Sequence, residues 1–386
     1  MSIRAPRYAI CGLGVTPQGV IPDTSAERLA WDAVELALAD AGLARRAVDG
    51  YVFQPGFGER TTGMAASRAA LGANTTLLIN SSGATAILAI TSAIGLIEAG
   101  TADYVMCVHA TNARSQTVTV GEGEDTALAA FGLFSPGGQC ALMAQSYFER
   151  FGRGSSDLAE IAVALRNNAV PRADAYRHGQ PITVEQHQES RFIVRPLRLF
   201  DYCLVTDGAV AFIVTSLERA RDLARPPVAV LGLGACHEVG QAYTRGARLA
   251  LGPASFDAEP ARSRALGAAG LSIDEIDVFQ FYDAFTILVA LQLEAYGLCG
   301  PGEAADWVRA GNFAWDSARP CNTSGTLHSW GYVQGFTHIA EGVRQLRGEG
   351  GATQVNGART ALVTNIGITG AGQAHTALVL GREDRT

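Results

Sequence analysis

The sequence carries little charge, and this scarcity excludes some classes of protein. Only 17% of its 386 residues are charged, the net charge is −7, and no Lys/Arg-rich run is interleaved with aromatic residues. A protein that binds nucleic acid needs a basic surface to neutralise phosphates. We therefore expect no nucleic acid partner.

Long uninterrupted apolar runs are missing as well. The longest apolar stretch, residues 84–99, is broken by Thr91, Ser92 and Glu98. The apolar run behind the first arginines is too short for a signal peptide. These patterns predict a cytoplasmic protein without a membrane span.

Cysteine is present without the spacing that a metal site or a disulfide framework needs. The seven cysteines are scattered and odd in number, with no Cys-x-x-Cys and no Cys/His pattern suited to zinc. We predict reduced thiols and no metal site. The low charge and the 44 glycines indicate that much surface is buried against other subunits and that backbones approach one another closely.

The sequence contains an internal duplication, in which two halves resemble each other. Four pairs of segments match in the same order, which indicates an ancient duplication. We predict an N-terminal half over residues 1–225 and a C-terminal half over residues 226–386. The pairs are YAICGLGVT (8–16) with VAVLGLGAC (228–236), ALADAGLARRAVDGYVFQ (37–54) with ALGAAGLSIDEIDVFQFY (265–282), NSSG (80–83) with NTSG (322–325), and DYVMCVHAT (103–111) with RTALVTNIG (359–367).

Each copy alternates short runs rich in Val and Ile with amphipathic helices, which predicts an α/β fold with mostly parallel sheets. The helix after Gly83 is apolar on all sides, so we place it, with a twin beginning near Gly335, at the centre of a five-layered α/β/α/β/α body. Residues 113–195 have no counterpart in the second copy. They predict a helix-rich insertion that covers a site, and the insertion has apolar residues suited to a large apolar substrate: Phe131, Leu133, Phe134 and Tyr147.

Two glycine-containing motifs invite a functional interpretation. GLGVTP (12–17) lacks the third glycine of a dinucleotide-binding loop, as does its twin GLGACH, so close packing of a strand on a helix is the better interpretation. LLINSSGATAI (77–87) predicts a sharp strand-to-helix turn that presents Asn80, Ser81 and Ser82. This turn is typical of a nucleophile, yet its first residue is an asparagine, and no His/Asp pattern adjoins the serines.

The duplicated body, the insertion and the two glycine turns together resemble the thiolase superfamily over nearly the whole chain. The resemblance is greatest to the lipid-transfer branch, which is related to the sterol-carrier-protein thiolases, and residues 320–350 resemble that branch specifically. In thiolases the first-half turn reads Cys-x-Ser-Gly and its cysteine accepts the acyl group. Asn80 occupies that place here, so the acyl-accepting thiol is missing.

The other thiolase motifs are also replaced here at their catalytic positions. The His-Asp-Cys-Phe or Asn-Glu-Ala-Phe motif is replaced by Tyr282-Asp283-Ala284-Phe285, and Gly-His-Pro by Gly331-Tyr332-Val333. The late Cys-x-Gly is replaced by Asn365-Ile366-Gly367. Two tyrosines thus stand where thiolases have histidines, which resembles the thiolase-fold aldolases that remove side chains in bacterial steroid breakdown.

This resemblance implies an activity and partners. It implies a lyase that splits a bulky β-hydroxyacyl-CoA with a tertiary alcohol, by retro-aldol cleavage, into a ketone and a shorter acyl-CoA such as propionyl-CoA or acetyl-CoA. It implies no covalently bound cofactor, with coenzyme A entering as part of the substrate. It also implies a homodimer that binds a small zinc-ribbon/OB-fold partner protein in a heterotetramer.

The resemblance further implies that Tyr282 and Tyr332 are the catalytic pair. Because the ordinary tyrosine pKa is about 10 and burial raises it, a tyrosine is a natural acid and an awkward base. We assign Tyr332 as base, helped by His328, and Tyr282 as acid, with the reverse assignment open. The supporting residues are Asn80, Ser81, Asp283, Asn322 and His328, and the residues expected to bind substrate or an oxyanion are Ser82, Gly83, Gly325, Gly331 and Gly367.

For two of the supporting residues the sequence indicates a structural role. We expect Asp283 to bond the backbone at its turn, while Asn322 either fixes its loop or orients the thioester oxygen. Cys321 matches no family nucleophile. The histidines interpreted as core or surface residues are His109, His237, His338 and His375.

Two other functions remain open from the sequence. One is an acyltransferase that works without the usual cysteine, through Ser81 or Ser82. The other is a non-catalytic protein that binds acyl-CoA or lipid.

Overall fold

The computed structural model describes residues 6–56, 71–117, 132, 135–237, 256–369 and 372–385. The elements are, in chain order, β1 (Tyr8–Val15), α1 (Ala26–Ala41), β2 (Gly50–Gln54), β3 (Thr75–Leu78), α2 (Thr85–Glu98), β4 (Tyr104–Thr111), α3 (Pro136–Phe151), α4 (Ser155–Ala169), α5 (Val184–Glu189), β5 (Phe192–Val194), β6 (Leu197–Arg198), β7 (Gly208–Ser216), α6 (Leu217–Ala220), β8 (Val228–His237), α7 (Glu259–Ala269), β9 (Val278–Gln280), α8 (Thr286–Ala295), α9 (Ala304–Arg309), α10 (Thr326–Ser329), α11 (Gly335–Arg347), β10 (Thr360–Thr369) and β11 (Gly372–Arg382).

The strands show the duplication directly. The first half has the order β3-β2-β4-β7-β1, and the second half has β9-β10-β11-β8, so the central β2-β4-β7-β1 series is repeated. Both series begin with a parallel pair, β2 with β4 and β9 with β10, and continue with antiparallel pairs. Cys321 forms a parallel bridge to Phe279 in β9. In the second half this bridge takes the position that β3 takes beside β2 in the first half.

Within the described part of the chain, the two half-sheets meet where β1 pairs with β8, through Ala9 with Ala229 and Ile10 with Val228. Helices α2 and α11 share one buried apolar cluster with strands of both halves. Helix α1 packs on the outer face of the first half, and α7 on the outer face of the second. These layers confirm the predicted α/β/α/β/α order and place α2 and α11 at its centre.

The paired Gly-x-Gly segments pack strands against helices, as predicted. A Cβ on Gly14 would overlap the carbonyl oxygen of Ala33 in α1, and one on Gly234 would overlap that of Ala261 in α7. A missing side chain therefore lets each outer helix approach its half-sheet closely.

The central helices begin in the same way. Ser81 N–H donates to Thr85 Oγ1 at 2.8 Å before α2, and Val333 N–H donates to Thr337 Oγ1 at 3.1 Å before α11. The predicted pairing of NSSG with NTSG is therefore wrong, because these two segments do not both lead into the central helices. NTSG is followed by the short helix α10, and the true counterpart of the first-half turn lies at residues 333–335.

The insertion has the predicted helical content in α3, α4 and α5. Tyr147 is buried in α3, whereas Phe131, Leu133 and Phe134 lie outside the described residues. Over the described ranges, no helix combines the length and apolar character needed to cross a membrane. Within the same ranges the cysteines form no disulfide.

Candidate active site

Tyr282 lies where the two halves of the molecule meet. It follows β9, and its N–H donates to Gln292 Oε1 at 3.2 Å and Thr364 Oγ1 at 3.1 Å. The side chain is only 3% exposed. Its hydroxyl lies against Gly83, where any Cβ would overlap it. The second-half tyrosine thus occupies the first-half turn that begins α2.

The Tyr282 hydroxyl makes no hydrogen bond to protein within the described part of the chain. Burial raises the pKa of Tyr282 well above its usual value, and the negative forms of Tyr332, Cys203 and Asp283 raise it further. The phenol is therefore protonated at neutral pH and can donate a proton or a hydrogen bond to a substrate.

Tyr332 is the second tyrosine of the site. Its N–H donates to Thr206 Oγ1 at 2.8 Å, and its side chain is 5% exposed. It belongs to the same buried cluster as Tyr282, and its negative form would raise the pKa of Tyr282. The structure therefore brings together the two tyrosines that the sequence singled out.

Asp283 holds the segments around both tyrosines. Its carboxylate accepts hydrogen bonds from Leu327 N–H at 3.1 Å, His328 N–H at 3.2 Å and Thr326 Oγ1 at 2.7 Å. Burial opposes the charge, but hydrogen bonds, of which that from His338 is the strongest, lower the pKa of Asp283 below its usual value. The expected backbone contact is confirmed, and the carboxylate stays ionised.

Asn322 fixes the loop before Tyr282. Its side chain accepts from Phe281 N–H at 3.0 Å and donates to Phe281 O and Thr326 Oγ1, both at 2.7 Å. Asn322 is fully buried with a φ of 43°. Because both ends of the amide are engaged, the structure favours loop fixation over contact with a thioester oxygen.

The turn before α2 uses N–H groups that we expected to be available for substrate. Ser81 N–H is taken by Thr85 Oγ1, and Ser82 N–H donates to Asn80 Oδ1 at 3.2 Å. Asn80 is exposed. In this structure the N–H of Ser82 stabilises the turn that supports Gly83, and the expected role of Ser82 in binding substrate or an oxyanion stays a prediction.

The remaining predicted glycines fall into different surroundings. Gly367 lies against the carbonyl oxygen of Ser81, next to the Gly83 turn, and Gly331 lies against the side chain of Gln18. Gly325 donates its N–H to Asn322 O at 2.7 Å. Gly325 also packs against the backbone of α4, so it contributes to loop packing, and its expected role in binding substrate or an oxyanion stays a prediction.

His328 lines a cavity of about 360 Å³ beside Tyr202, Cys203 and Ser329. Its ring is 5% exposed, and Nε2 is buried without a hydrogen-bond partner in the described residues. Burial lowers the pKa of His328 to about 4. The imidazole is therefore neutral at physiological pH.

The same cavity is strongly basic. Buried Arg166 donates to Ser329 Oγ at 3.1 Å and Gln180 O at 2.9 Å, and burial and nearby Arg177 lower its pKa to about 10. A buried cation without a carboxylate is costly unless an anion binds to it. No carboxylate of the described ranges pairs with any arginine of the cavity, namely Arg114, Arg166, Arg177 and Arg191.

Cysteines near the tyrosines are not activated. Burial raises the pKa of Cys203 and Cys140 well above the usual value, as it does for Cys321. Cys321 is fully buried and donates its thiol to Arg319 O at 3.3 Å. These thiols are protonated, which makes them poor nucleophiles.

Sequence reasoning missed His338, which it assigned to the core or surface. The residue is buried in α11, bonds Asp283, and packs its ring on Tyr282. Its partner is 55 positions away in the chain. The available signal was a polar residue inside each of two apolar segments, FYDAF and GFTHIA, because buried polar groups need partners.

Comparisons with known proteins agree on one family. A family model described as thiolase C-terminal domain-like matches residues 251–382. The 17-hydroxy-3-oxo-4-pregnene-20-carboxyl-CoA lyase of Mycobacterium tuberculosis is 36% identical, covering 97% of this chain and 98% of that protein. The steroid side-chain-cleaving aldolase of Thermomonospora curvata is 33% identical, covering 99% of this chain and 100% of that protein. A solved structure of the Ltp2-ChsH2(DUF35) aldolase has a TM-score of 0.86, with 33% identity and complete coverage of both chains.

Proposed function

The chain belongs to the thiolase-like aldolases that cleave steroid side chains and is a carbon–carbon lyase, and we propose how its site performs the cleavage. The substrate is a bulky β-hydroxyacyl-CoA of the steroid side-chain type with a tertiary alcohol. The products are a ketone and a shorter acyl-CoA, such as propionyl-CoA or acetyl-CoA. The observation that carries this proposal is the Tyr282 hydroxyl against Gly83, in one buried cluster with Tyr332, while the pKa values of the described cysteines nearby, Cys140 and Cys203, are raised by burial.

A retro-aldol reaction needs one group to accept the hydroxyl proton and another to protonate the thioester enolate. Tyr332 acts as its phenolate, helped by His328, and takes the hydroxyl proton as the carbonyl of the ketone forms and the C–C bond breaks. Tyr282 donates its proton to the carbon of the enolate. The raised pKa of Tyr282 supports the role of acid, because the phenol holds its proton at neutral pH.

The basic cavity supports a coenzyme A ester as substrate. Its outer part has the exposed Arg114 and Arg191, and its buried part has Arg166 and His328. Coenzyme A carries several negative charges on its phosphates, and these are complementary to the positive charges of the cavity's arginines. We propose that these phosphates bind at the outer arginines while the acyl group points toward the buried end.

We also propose an assembly in the cytoplasm. The solved aldolase of the same family is the Ltp2-ChsH2(DUF35) aldolase, which supports a small DUF35 partner of zinc-ribbon/OB-fold type for this chain. Strand β3 lies at the edge of the sheet and exposes Leu78, which supports pairing with a second copy. The homodimer with two such partners gives the proposed heterotetramer, and the halves 1–225 and 226–386 remain a prediction.

Product analysis with covalent trapping tests the proposal. The chain is co-expressed with a DUF35 protein and incubated with a β-hydroxyacyl-CoA labelled in its acyl part. We expect a ketone and a shorter acyl-CoA in equal amounts, with no label left on the protein. A stable acyl adduct on Ser81, Ser82 or any cysteine would instead establish the acyltransferase. Tight binding without any product would establish the non-catalytic acyl-CoA protein.

A further inference from the structure

A buried histidine–aspartate pair lies directly beneath Tyr282. His338 Nε2 lies 2.8 Å from Asp283 Oδ1, and both side chains are 0% exposed. Because a carboxylate only accepts hydrogen bonds, Nε2 carries the hydrogen and Nδ1 carries a lone pair. Nδ1 is buried and has no hydrogen-bond partner within the described residues. The imidazole therefore has one site still able to accept a proton.

The pair is in contact with the proposed acid of the reaction. The rings of His338 and Tyr282 have centroids 5.4 Å apart at an interplanar angle of 35°. Asp283 is the next residue after Tyr282 and accepts three further hydrogen bonds from α10. The ring of Tyr282 is thus held between His338 on one side and Gly83 at its hydroxyl.

Proton donation by Tyr282 leaves a negative charge on its phenol oxygen, and the neighbouring side chains must stabilise this charge. When Tyr282 gives its proton to the enolate, a phenolate forms in a buried site that already contains the carboxylate of Asp283. An unpaired buried anion is strongly disfavoured. Among the described residues, the imidazole of His338 is the ionisable ring in contact with both side chains and can become a cation, whereas His328 reaches Asp283 through its backbone N–H.

We infer that His338, held by Asp283, is a positioning residue for Tyr282. It fixes the phenol against Gly83 and carries the positive charge that balances the Tyr282 phenolate during turnover. His338 takes up a proton from solvent at Nδ1 before the chemical step and remains an imidazolium throughout it, stabilised by Asp283 through the Nε2 hydrogen bond. Tyr282 then regains a proton from Tyr332, which holds the proton taken from the substrate hydroxyl, and the site returns to its starting charge. This inference rests on the proposed function, because it needs Tyr282 to act as the acid.

The titratable groups around the pair come from several elements. Tyr282 contacts the ring of His338, and His328 of α10 reaches Asp283 through its backbone N–H. Glu341, on the next turn of α11, is bonded to Arg172 and Thr323. Because Glu341 already has these partners, the Asp283 carboxylate is the anion that stabilises an imidazolium at His338.

The test compares His338→Gln with a matched control. His187 forms an equivalent buried pair with Asp201, at 2.9 Å, and Asp201 also accepts a threonine hydroxyl, that of Thr286, at 2.6 Å. His187→Gln therefore removes a similar histidine without touching Tyr282. Both variants, Asp283→Asn and the wild type are assayed with the partner protein for kcat, KM and the dependence of kcat on pH.

We expect His338→Gln to lower kcat about 10- to 100-fold, the size of a charge interaction over about 5 Å, with KM changed less than about threefold. We expect the dependence of kcat on pH to differ from that of the wild type in both His338→Gln and Asp283→Asn, because each variant removes the histidine–aspartate pair beneath Tyr282. His187→Gln keeps the wild-type profile. Asp283→Asn decides the matter if His338→Gln does not fold, since asparagine has the shape of aspartate.

Two results would overturn the inference. One is an unchanged kcat in His338→Gln, and the other is a lowered kcat with the wild-type pH profile, which would mean that His338 only packs. Failure of the proposed function looks different, because the wild-type complex would then form no ketone at all.

Discussion

Gly83 is the residue on which the geometry of Tyr282 depends most directly. In thiolases the equivalent turn supports a nucleophile, and here the place beside it is filled by the hydroxyl of Tyr282. The residue that leads the turn, Asn80, uses its Oδ1 to hold Ser82 N–H. In this protein the turn therefore supports a tyrosine.

Gly83→Ala is expected to displace this tyrosine. The added methyl group would occupy the position of the Tyr282 hydroxyl, so the phenol must move or the turn must open. We expect kcat for C–C cleavage to fall at least about 100-fold, because small misplacement of a reacting group has large effects on rate. Steady-state kinetics with the labelled CoA ester measures the change.

Gly95→Ala is the control in α2, because a Cβ there meets no atom within 4 Å. It is expected to retain wild-type kcat. Wild-type kcat in Gly83→Ala would show that the hydroxyl of Tyr282 does not need its present position.

At the residue scale, the sequence predicts the site residues that lie in recognisable motifs. Tyr282, Tyr332 and Gly83 were identified because they occupy recognisable motif positions. His338 was missed because its place in the site depends on its hydrogen bond to Asp283, and only the fold brings these two residues together. The hydrogen bonds that Ser82 N–H and Gly325 N–H make within the protein were not predicted, because side chains and turns compete for backbone N–H groups and sequence spacing does not show this competition.

At the scale of elements, the outer helices are held close to the strands by missing side chains. Gly14 and Gly234 let α1 and α7 lie directly on β1 and β8. Periodicity predicted these helices and strands well, because apolar faces repeat locally. The pairing of NSSG with NTSG failed because the second half inserts α10 between the strand end and its central helix.

Gly14→Val is expected to destabilise the molecule by pushing α1 from the sheet. The valine side chain would collide with backbone of α1, and overpacking of this kind costs about 1–3 kcal/mol. Chemical denaturation should show a lower midpoint with an unchanged slope. Gly95→Ala should instead gain up to about 1 kcal/mol from helix propensity. An undiminished midpoint in Gly14→Val would contradict the close contact of β1 with α1.

At the scale of the whole molecule, buried neutral histidines link stability to pH. Burial lowers the pKa of His109 and of His328 to about 4, against an ordinary value of 6.5. Between these values the unfolded chain binds more protons than the folded one. Stability is therefore fully present above pH 6.5 and is lost as pH falls toward 4.

Each of these histidines is expected to contribute up to about 3 kcal/mol to the loss of stability in acid. Urea denaturation at a series of pH values measures the loss. His328→Gln should make the free energy of unfolding fall less steeply between pH 6.5 and 4, the window set by its pKa. An equally steep fall in the variant would show that His328 is not buried as a neutral ring.

The central claim is that cleavage uses two tyrosines and no acyl-enzyme. The most direct measurement is the rate of ketone release from a β-hydroxyacyl-CoA by the complex, for the wild type, Tyr282→Phe and Tyr332→Phe. We predict that each variant loses at least about 100-fold in kcat while KM stays within a few-fold, because removal of a proton-transferring group acts on the chemical step. Ketone release at the wild-type rate by both variants would contradict the account.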